Sequence, residues 1–250
     1  MELRLHGLFA VGKKFDFFIP CNSVLYLFHE KLYNKLRTKT EAGQMDIITI
    51  SREFGSGGRE LGKRIADNLG WDYYDREIID TVAKETGLDA DYVNTVLERH
   101  EWWTVPVTFQ RSFTLSTVSN TELIVKEKEI IERIAKSGRS CVIVGRNADF
   151  FLREYQPLRI FVCANLKAKI LRCRERADNR QELSDKEIER QIKRIDKSRE
   201  SMRELVAGDR WGDPKSYHLT VNTTDWELKK LAPVVAEYAK AYFETRVEKE

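Results

Sequence analysis

From Met45 onward, apolar residues along this chain follow two periods, and the two alternate. Short runs at Asp46–Ile50, Trp71–Tyr74, Ser140–Val144, Arg159–Cys163 and Tyr217–Val221 have the length and composition of strands. Between them the period lengthens. Leu61, Ile65 and Leu69, four apart, predict a helix over Arg59–Leu69 with Gly70 as its stop. Leu123, Ile130, Ile131 and Ile134 predict another over about 122–137, with Ser119 and Glu122 as a capping box and Gly138 closing it. Two helices and an irregular stretch containing Trp102, Trp103 and Pro106 fill residues 76–120. A charged helical region spans 166–207, breaks near Asn179–Leu183 and restarts at the capping box of Ser184 and Glu187. A last helix covers about 225–245. Five strands joined by helical crossovers predict a parallel sheet with helices on both faces, and such sheets gather ligands at the carboxyl ends of their strands.

The polar residues at those ends carry the candidate chemistry. Strand one runs into Ser51-Arg52-Glu53-Phe54-Gly55-Ser56-Gly57-Gly58-Arg59 and then a helix. Glycines let successive backbone N–H groups turn inward, and the helix points its positive end at an anion, so Gly55, Ser56, Gly57, Gly58 and Arg59 read as a phosphate cradle. The pattern G-x-x-x-x-G-K-[ST] has lysine where this chain has Gly58. Arg52, Arg59 and Lys63 are the candidates for the missing charge. Glu60, in the first helical turn, suits the helix dipole but repels a triphosphate; it pairs with an arginine or reaches a metal through water. Asp75, after strand two, reads equally as a helix cap and as a substrate contact. Gly145-Arg146-Asn147, after strand three, puts Arg146 where it can grip a phosphate or base edge. Arg172, Arg176 and Arg180 repeat every four residues. Arg190, Arg194 and Lys197 lie opposite Ile188, Ile192 and Ile195. These rows are either solvated faces or the inner side of a mobile helical hairpin that closes over a triphosphate.

Composition narrows the class. A 42% apolar and 33% charged chain of 250 residues suits one α/β domain with an extension. The net charge of +3 lies wholly in residues 1–44, and the remainder is neutral, which argues against a nucleic-acid binder. Residues 1–44 read as an N-terminal extension, a docking segment or a part foreign to the domain, which begins at Met45. No apolar run has the length of a membrane span. The four cysteines have no metal or disulfide spacing, as in a reducing cytosol. The four histidines have no ligand or triad spacing, which leaves zinc hydrolysis and acyl transfer unsupported. Trp102 and Trp103, with Phe109 and Phe113, read as packing or as a surface for a protein partner or a second copy.

On the stretches ITISREFGSGGRELGKRIA (48–66), YYDREII (73–79), VIVGRNADF (142–150) and WGDPKSYHLTVNT (211–223), residues 45–247 resemble the cytidylate kinase-like family, a branch of the P-loop nucleoside monophosphate kinases. The resemblance implies a three-layer P-loop kinase sandwich with a helical lid and a monophosphate-binding insertion. It implies transfer of a phosphoryl group from ATP, with Mg2+, to a nucleoside monophosphate such as CMP or dCMP. It matches Gly55, Ser56 and Gly57 to the phosphate loop, and Asp75 and Arg146 to the substrate site. Arg172 and Arg194 correspond to lid arginines, and Asp196 and Arg199 fall in the adjoining run. Here Arg194, Arg199 and Arg172 are the expected catalytic residues. Gly58 and Glu60 depart from the pattern's lysine and threonine. Arg76 and Thr81 replace a serine and an arginine that hold CMP, and Asn147 replaces an aspartate that reads the base. A kinase of this or another small acceptor, and a nucleotide-binding module without catalysis, both remain open.

Overall fold

A computed structural model describes residues 45–94, 96–97, 120–176 and 183–245. The extension 1–44, the Trp102/Trp103 segment with Phe109 and Phe113, Ser119, and Arg180 in the helical break lie outside the described residues.

Strands β1 (Ile47–Arg52), β2 (Asp72–Tyr74), β3 (Cys141–Val144), β4 (Leu158–Cys163) and β5 (Leu219–Asn222) form one parallel sheet in the order β2-β3-β1-β4-β5. Successive residues of β1 face opposite sides, and with helices over both faces Ile47 to Ile50 are all buried. Ile48 and Ile50 join Val142, Val144, Ile160 and Val162 under helices α1 (Gly58–Leu69) and α8 (Leu228–Thr245). Ile47, Cys141 and Ile143 pack on the other face, against α2 (Arg76–Thr86), α3 (Ala90–Asn94) and α4 (Asn120–Lys136). The expected α/β architecture is present: a five-stranded parallel sheet between two helical layers.

The charged region folds as α6 (Leu166–Arg176) and α7 (Asp185–Ala207). The capping box forms as read, the Glu187 carboxylate accepting from both the N–H and the hydroxyl of Ser184. Two elements differ from expectation. A short helix α5 (Ala148–Phe151) follows β3, too brief for its apolar period to register. β5 begins at Leu219 instead of Tyr217, because the 3-10 turn Pro214–Ser216 must first bring the chain to the sheet edge.

The pairing Ile50↔Val144 and Arg52↔Val162 aligns the ends of β1, β3 and β4. Every candidate residue that follows those strands therefore opens at one edge.

Candidate functional site

The turn after β1 is built around glycines in left-handed backbone, Gly55 at φ 76° and Gly57 at φ 83°. A Cβ on Gly57 would stand 2.7 Å from Leu228 Cδ1, so that position needs glycine on both counts. Gly57 is the N-cap of α1 and provides no side-chain cap. The first amides of α1, at Gly58, Arg59 and Glu60, have no intrahelical partner and point out of the helix end. The loop is pinned from behind. The Ser56 carbonyl accepts from Thr223 Oγ1 at 2.6 Å and from Arg172 at 3.3 Å, and Arg172 also donates to the Thr223 carbonyl at 2.6 Å. Arg172 thus braces the loop against the end of β5.

Glu60 is held by arginines: its carboxylate accepts from Arg64 at 2.9 Å and from Arg176 at 2.6 Å. Burial pushes the carboxyl up, but the two arginine hydrogen bonds outweigh it and the net shift is downward. Lys63 pairs with Asp67 along the exposed face of α1. Arg59 Nε lies 2.5 Å from Asp75 Oδ2, and Arg52 lies 3.8 Å from Oδ1 of the same carboxylate. Asp75 is buried and its side chain makes no cap hydrogen bond. The side-chain cap reading is therefore corrected: Asp75 stands at the N-cap position, but its carboxylate turns to the two arginines, while its backbone N–H donates to Glu77 at 3.0 Å.

After β3 the chain makes a left-handed turn, with φ 78°, 63° and 49° at Gly145, Arg146 and Asn147. For the two non-glycine residues this costs of order 1–2 kcal/mol each. The Ala148 N–H closes the turn on the Gly145 carbonyl at 3.2 Å, and Asn147 becomes the N-cap of α5. Strain of this kind persists where surrounding contacts enforce it, often at functional sites. Arg146 is buried instead of forming a surface salt bridge, its Nε 3.9 Å from Glu127 Oε1.

Between these loops lies a cleft open to solvent. Arg52, Arg146 and Arg199 line it with Asn147, and Leu97, Met202 and Trp211 form its apolar wall. Arg199 donates to the Arg52 carbonyl at 3.0 Å and lies 5.9 Å from the Phe54 ring centroid. Arg194, one turn earlier on α7, is exposed and is not part of the lining.

Two features escaped the sequence reading. Lys169 of α6 is buried between Glu53 at 3.1 Å and Asp196 at 2.9 Å, and Asp196 also accepts from the Phe54 N–H at 2.6 Å. The signal was there: Lys169 lies one turn before Arg172 and Cys173 on the helix face that meets the loop. The other is Arg203, which joins Asp149 of α5 to Asp209 and fixes the C-terminal half of α7. Only an aspartate distant in sequence makes Arg203 a buried residue.

The carboxylates around the loop do not form the Mg2+ site that the family resemblance implies. Among the described residues no three His, Cys, Asp or Glu side chains converge on a point. Glu60 is taken by two arginines, and Glu53 and Asp196 by Lys169. These residues do not fit a protein-held metal.

The model of the cytidylate kinase-like family matches residues 47–225, which span the sheet, the loop and the cleft. The chain belongs to the cytidylate kinase-like family. No curated protein matches it. Among solved structures, an uncharacterized protein from Eubacterium ventriosum is 22% identical, with 79% of this chain and 99% of that chain covered at TM-score 0.59. A shikimate kinase from Bacteroides thetaiotaomicron is 16% identical over 78% and 99%, at TM-score 0.49. A shikimate kinase from Acinetobacter baumannii in complex with shikimate is 14% identical over 82% and 97%, at TM-score 0.44. At 22% identity the first likeness speaks to fold alone, and the two shikimate kinases, below a TM-score of 0.5, add no argument. The family is kinase-like, and no helix among the described residues is long and apolar enough to cross a membrane.

Proposed function

We infer that this chain is a phosphotransferase that moves the γ-phosphoryl group of ATP to a small anionic acceptor, a nucleoside monophosphate with CMP or dCMP first. The observation that carries this reading is the meeting of three arginines from three elements, Arg52, Arg146 and Arg199, in a cleft beside an uncapped, glycine-built helix end. Phosphoryl transfer asks little covalent chemistry of the protein; it needs in-line positioning and positive charge around the moving group.

The loop amides and the α1 dipole hold the donor phosphates. Arg146 and Asn147 hold the acceptor, with Asp75 keeping Arg52 and Arg59 in place. An acceptor phosphate oxygen forms the new bond to the γ-phosphorus, the bond to the bridging oxygen breaks, and ADP leaves with that electron pair. Arg199 and Arg52 stabilise the charge that develops. The unbridged thiols of Cys141, Cys163 and Cys173 accord with a cytosolic setting.

The test is ATP consumption by the full chain, with magnesium, against a panel of ribo- and deoxyribonucleoside monophosphates. Turnover with CMP that falls about 100- to 1,000-fold in Arg199→Ala, with little change in KM for ATP, is expected. Turnover only with another hydroxyl acceptor would keep the chemistry and replace the acceptor. ATP binding without any product would favour the non-catalytic nucleotide module, a reading that the departures at Gly58 and Glu60 support.

A further inference from the structure

In the pattern G-x-x-x-x-G-K-[ST] a glycine opens the phosphate loop and a lysine closes it. Laid on this chain, the opening glycine falls at Arg52 and the lysine at Gly58. The glycine and the cation have changed places.

The packing explains why the two changes go together. A Cβ on Gly58 would stand 2.6 Å from Arg52 Cβ, 3.1 Å from Arg52 Cγ and 3.3 Å from Val162 Cβ. The two positions share one volume with room for a single side-chain stem, and Arg52 supplies it. From there the Arg52 guanidinium passes so close to Gly145 that a Cβ at that position would collide with it. It approaches Asp75 at 3.8 Å and enters the wall of the cleft. Gly145 is thus kept free of a side chain by the same arginine that keeps Gly58 free of one.

We propose that Arg52 is the phosphate-loop cation of this protein, delivered from the first position of the loop instead of the seventh, and that it faces the transferred phosphate from the acceptor side. The proposal rests on the phosphoryl-transfer reading above. Of the other cations near the loop, Lys169 lies between two carboxylates and Arg172 braces the Ser56 carbonyl from behind. Arg59 shares Asp75 with Arg52, but its side chain is 59% exposed where that of Arg52 is 9% exposed and lines the cleft. A guanidinium is also suited to this approach, because its planar fork can meet two oxygens of one phosphoryl group where an ammonium is a point charge.

The test is a four-protein cycle on the full chain: wild type, Arg52→Gly, Gly58→Lys, and the double exchange Arg52→Gly/Gly58→Lys. Affinities for ATP and for ADP are measured by calorimetry, with circular dichroism as the check on folding. Arg52→Gly is expected to weaken ATP about 10- to 100-fold, the range for one charged hydrogen-bonding group, and ADP far less. Gly58→Lys alone is expected to weaken binding as well, since its stem collides with Arg52. The double exchange returns the standard pattern and is expected to recover the preference for ATP, which a purely structural role of Arg52 would not predict.

Arg52→Met guards against misfolding, because it keeps the stem and removes the charge; it should lose the ATP preference as Arg52→Gly does. Wild-type binding of ATP with that preference unchanged in Arg52→Met, or a folded double exchange no better than the worse single variant, overturns this proposal alone. A wild type that does not bind ATP overturns the phosphotransferase reading, and this proposal with it.

Discussion

Replacing Arg203 by alanine tests what holds the Arg199-bearing helix against the cleft. Arg203 is 3% exposed and Asp149 4%, and the pair meets at 2.7 Å. Removing one member of such a pair leaves a buried, uncompensated charge, which costs about 3–5 kcal/mol. Asp209 adds little to that figure, since its side chain is 39% exposed and water replaces the lost arginine. For a domain of this size each kcal/mol lowers Tm by about 2–4 °C, so Arg203→Ala should melt about 6–20 °C below wild type. Urea denaturation of the full chain measures the free energy, and Arg203→Ala/Asp149→Asn, which removes the orphaned charge, should recover much of it. Because Arg199 lies one turn before Arg203, kcat should fall too while the helix content holds. A loss below about 1 kcal/mol, as for a surface bridge, would refute the view that this pair anchors α7. The pH dependence supplies a second reading. The Arg203 hydrogen bond holds the Asp209 carboxyl below the usual range against the opposing effect of burial. A carboxyl lower in the folded state contributes stability above its unfolded value of about 3.9, and that stability is lost as pH falls through the folded value. The decline in stability between about pH 5 and pH 3 should therefore be shallower in Arg203→Ala than in wild type.

Two further outcomes follow from the loop and the core. Gly57→Ala forces a Cβ to 2.7 Å from Leu228 Cδ1 at a φ of 83°. Overpacking of about 1–3 kcal/mol and a left-handed penalty of about 1–2 kcal/mol should both appear in thermal unfolding, together with weakened ATP binding; an unchanged Tm would refute the tight approach of α8 to the loop. The Cys141 thiol is pushed up to about 12, first by burial and then by the nearby Asp72 charge. Iodoacetamide at mildly alkaline pH should leave Cys141 unlabelled in the folded chain and modify it in urea, as read by peptide mass spectrometry, whereas native labelling at the rate of an exposed thiol would show that β3 opens.

The sheet, its helices and the position of the phosphate loop were legible because burial imposes a period. Ile47 and Ile48 must both be apolar when helices cover both faces, and Leu61 and Ile65 must fall on one side of α1. The capping box of Ser184 and Glu187 was legible for a similar reason, since its bonds close within four residues. What failed was short or depended on distant partners. α5 is only four residues long, with no period to detect. Asp75 had the sequence of a cap, yet its carboxylate is drawn to arginines at the ends of other elements. Lys169 was passed over because α6 reads as a charged, solvated helix until it lies on the loop.

The sequence by itself determined the fold class and where the glycine turn falls, because periodicity and glycine placement are local consequences of burial and backbone geometry. Tertiary structure alone decided which charges face the cleft. A guanidinium has no preferred direction along the chain; it goes where a carboxylate, a carbonyl or a missing Cβ leaves room, and those partners come from strands and helices far apart in sequence. The exchange between Arg52 and Gly58 shows both levels. The missing lysine is visible in the letters, whereas the arginine stem that fills its volume is visible only once β1 and α1 are packed together.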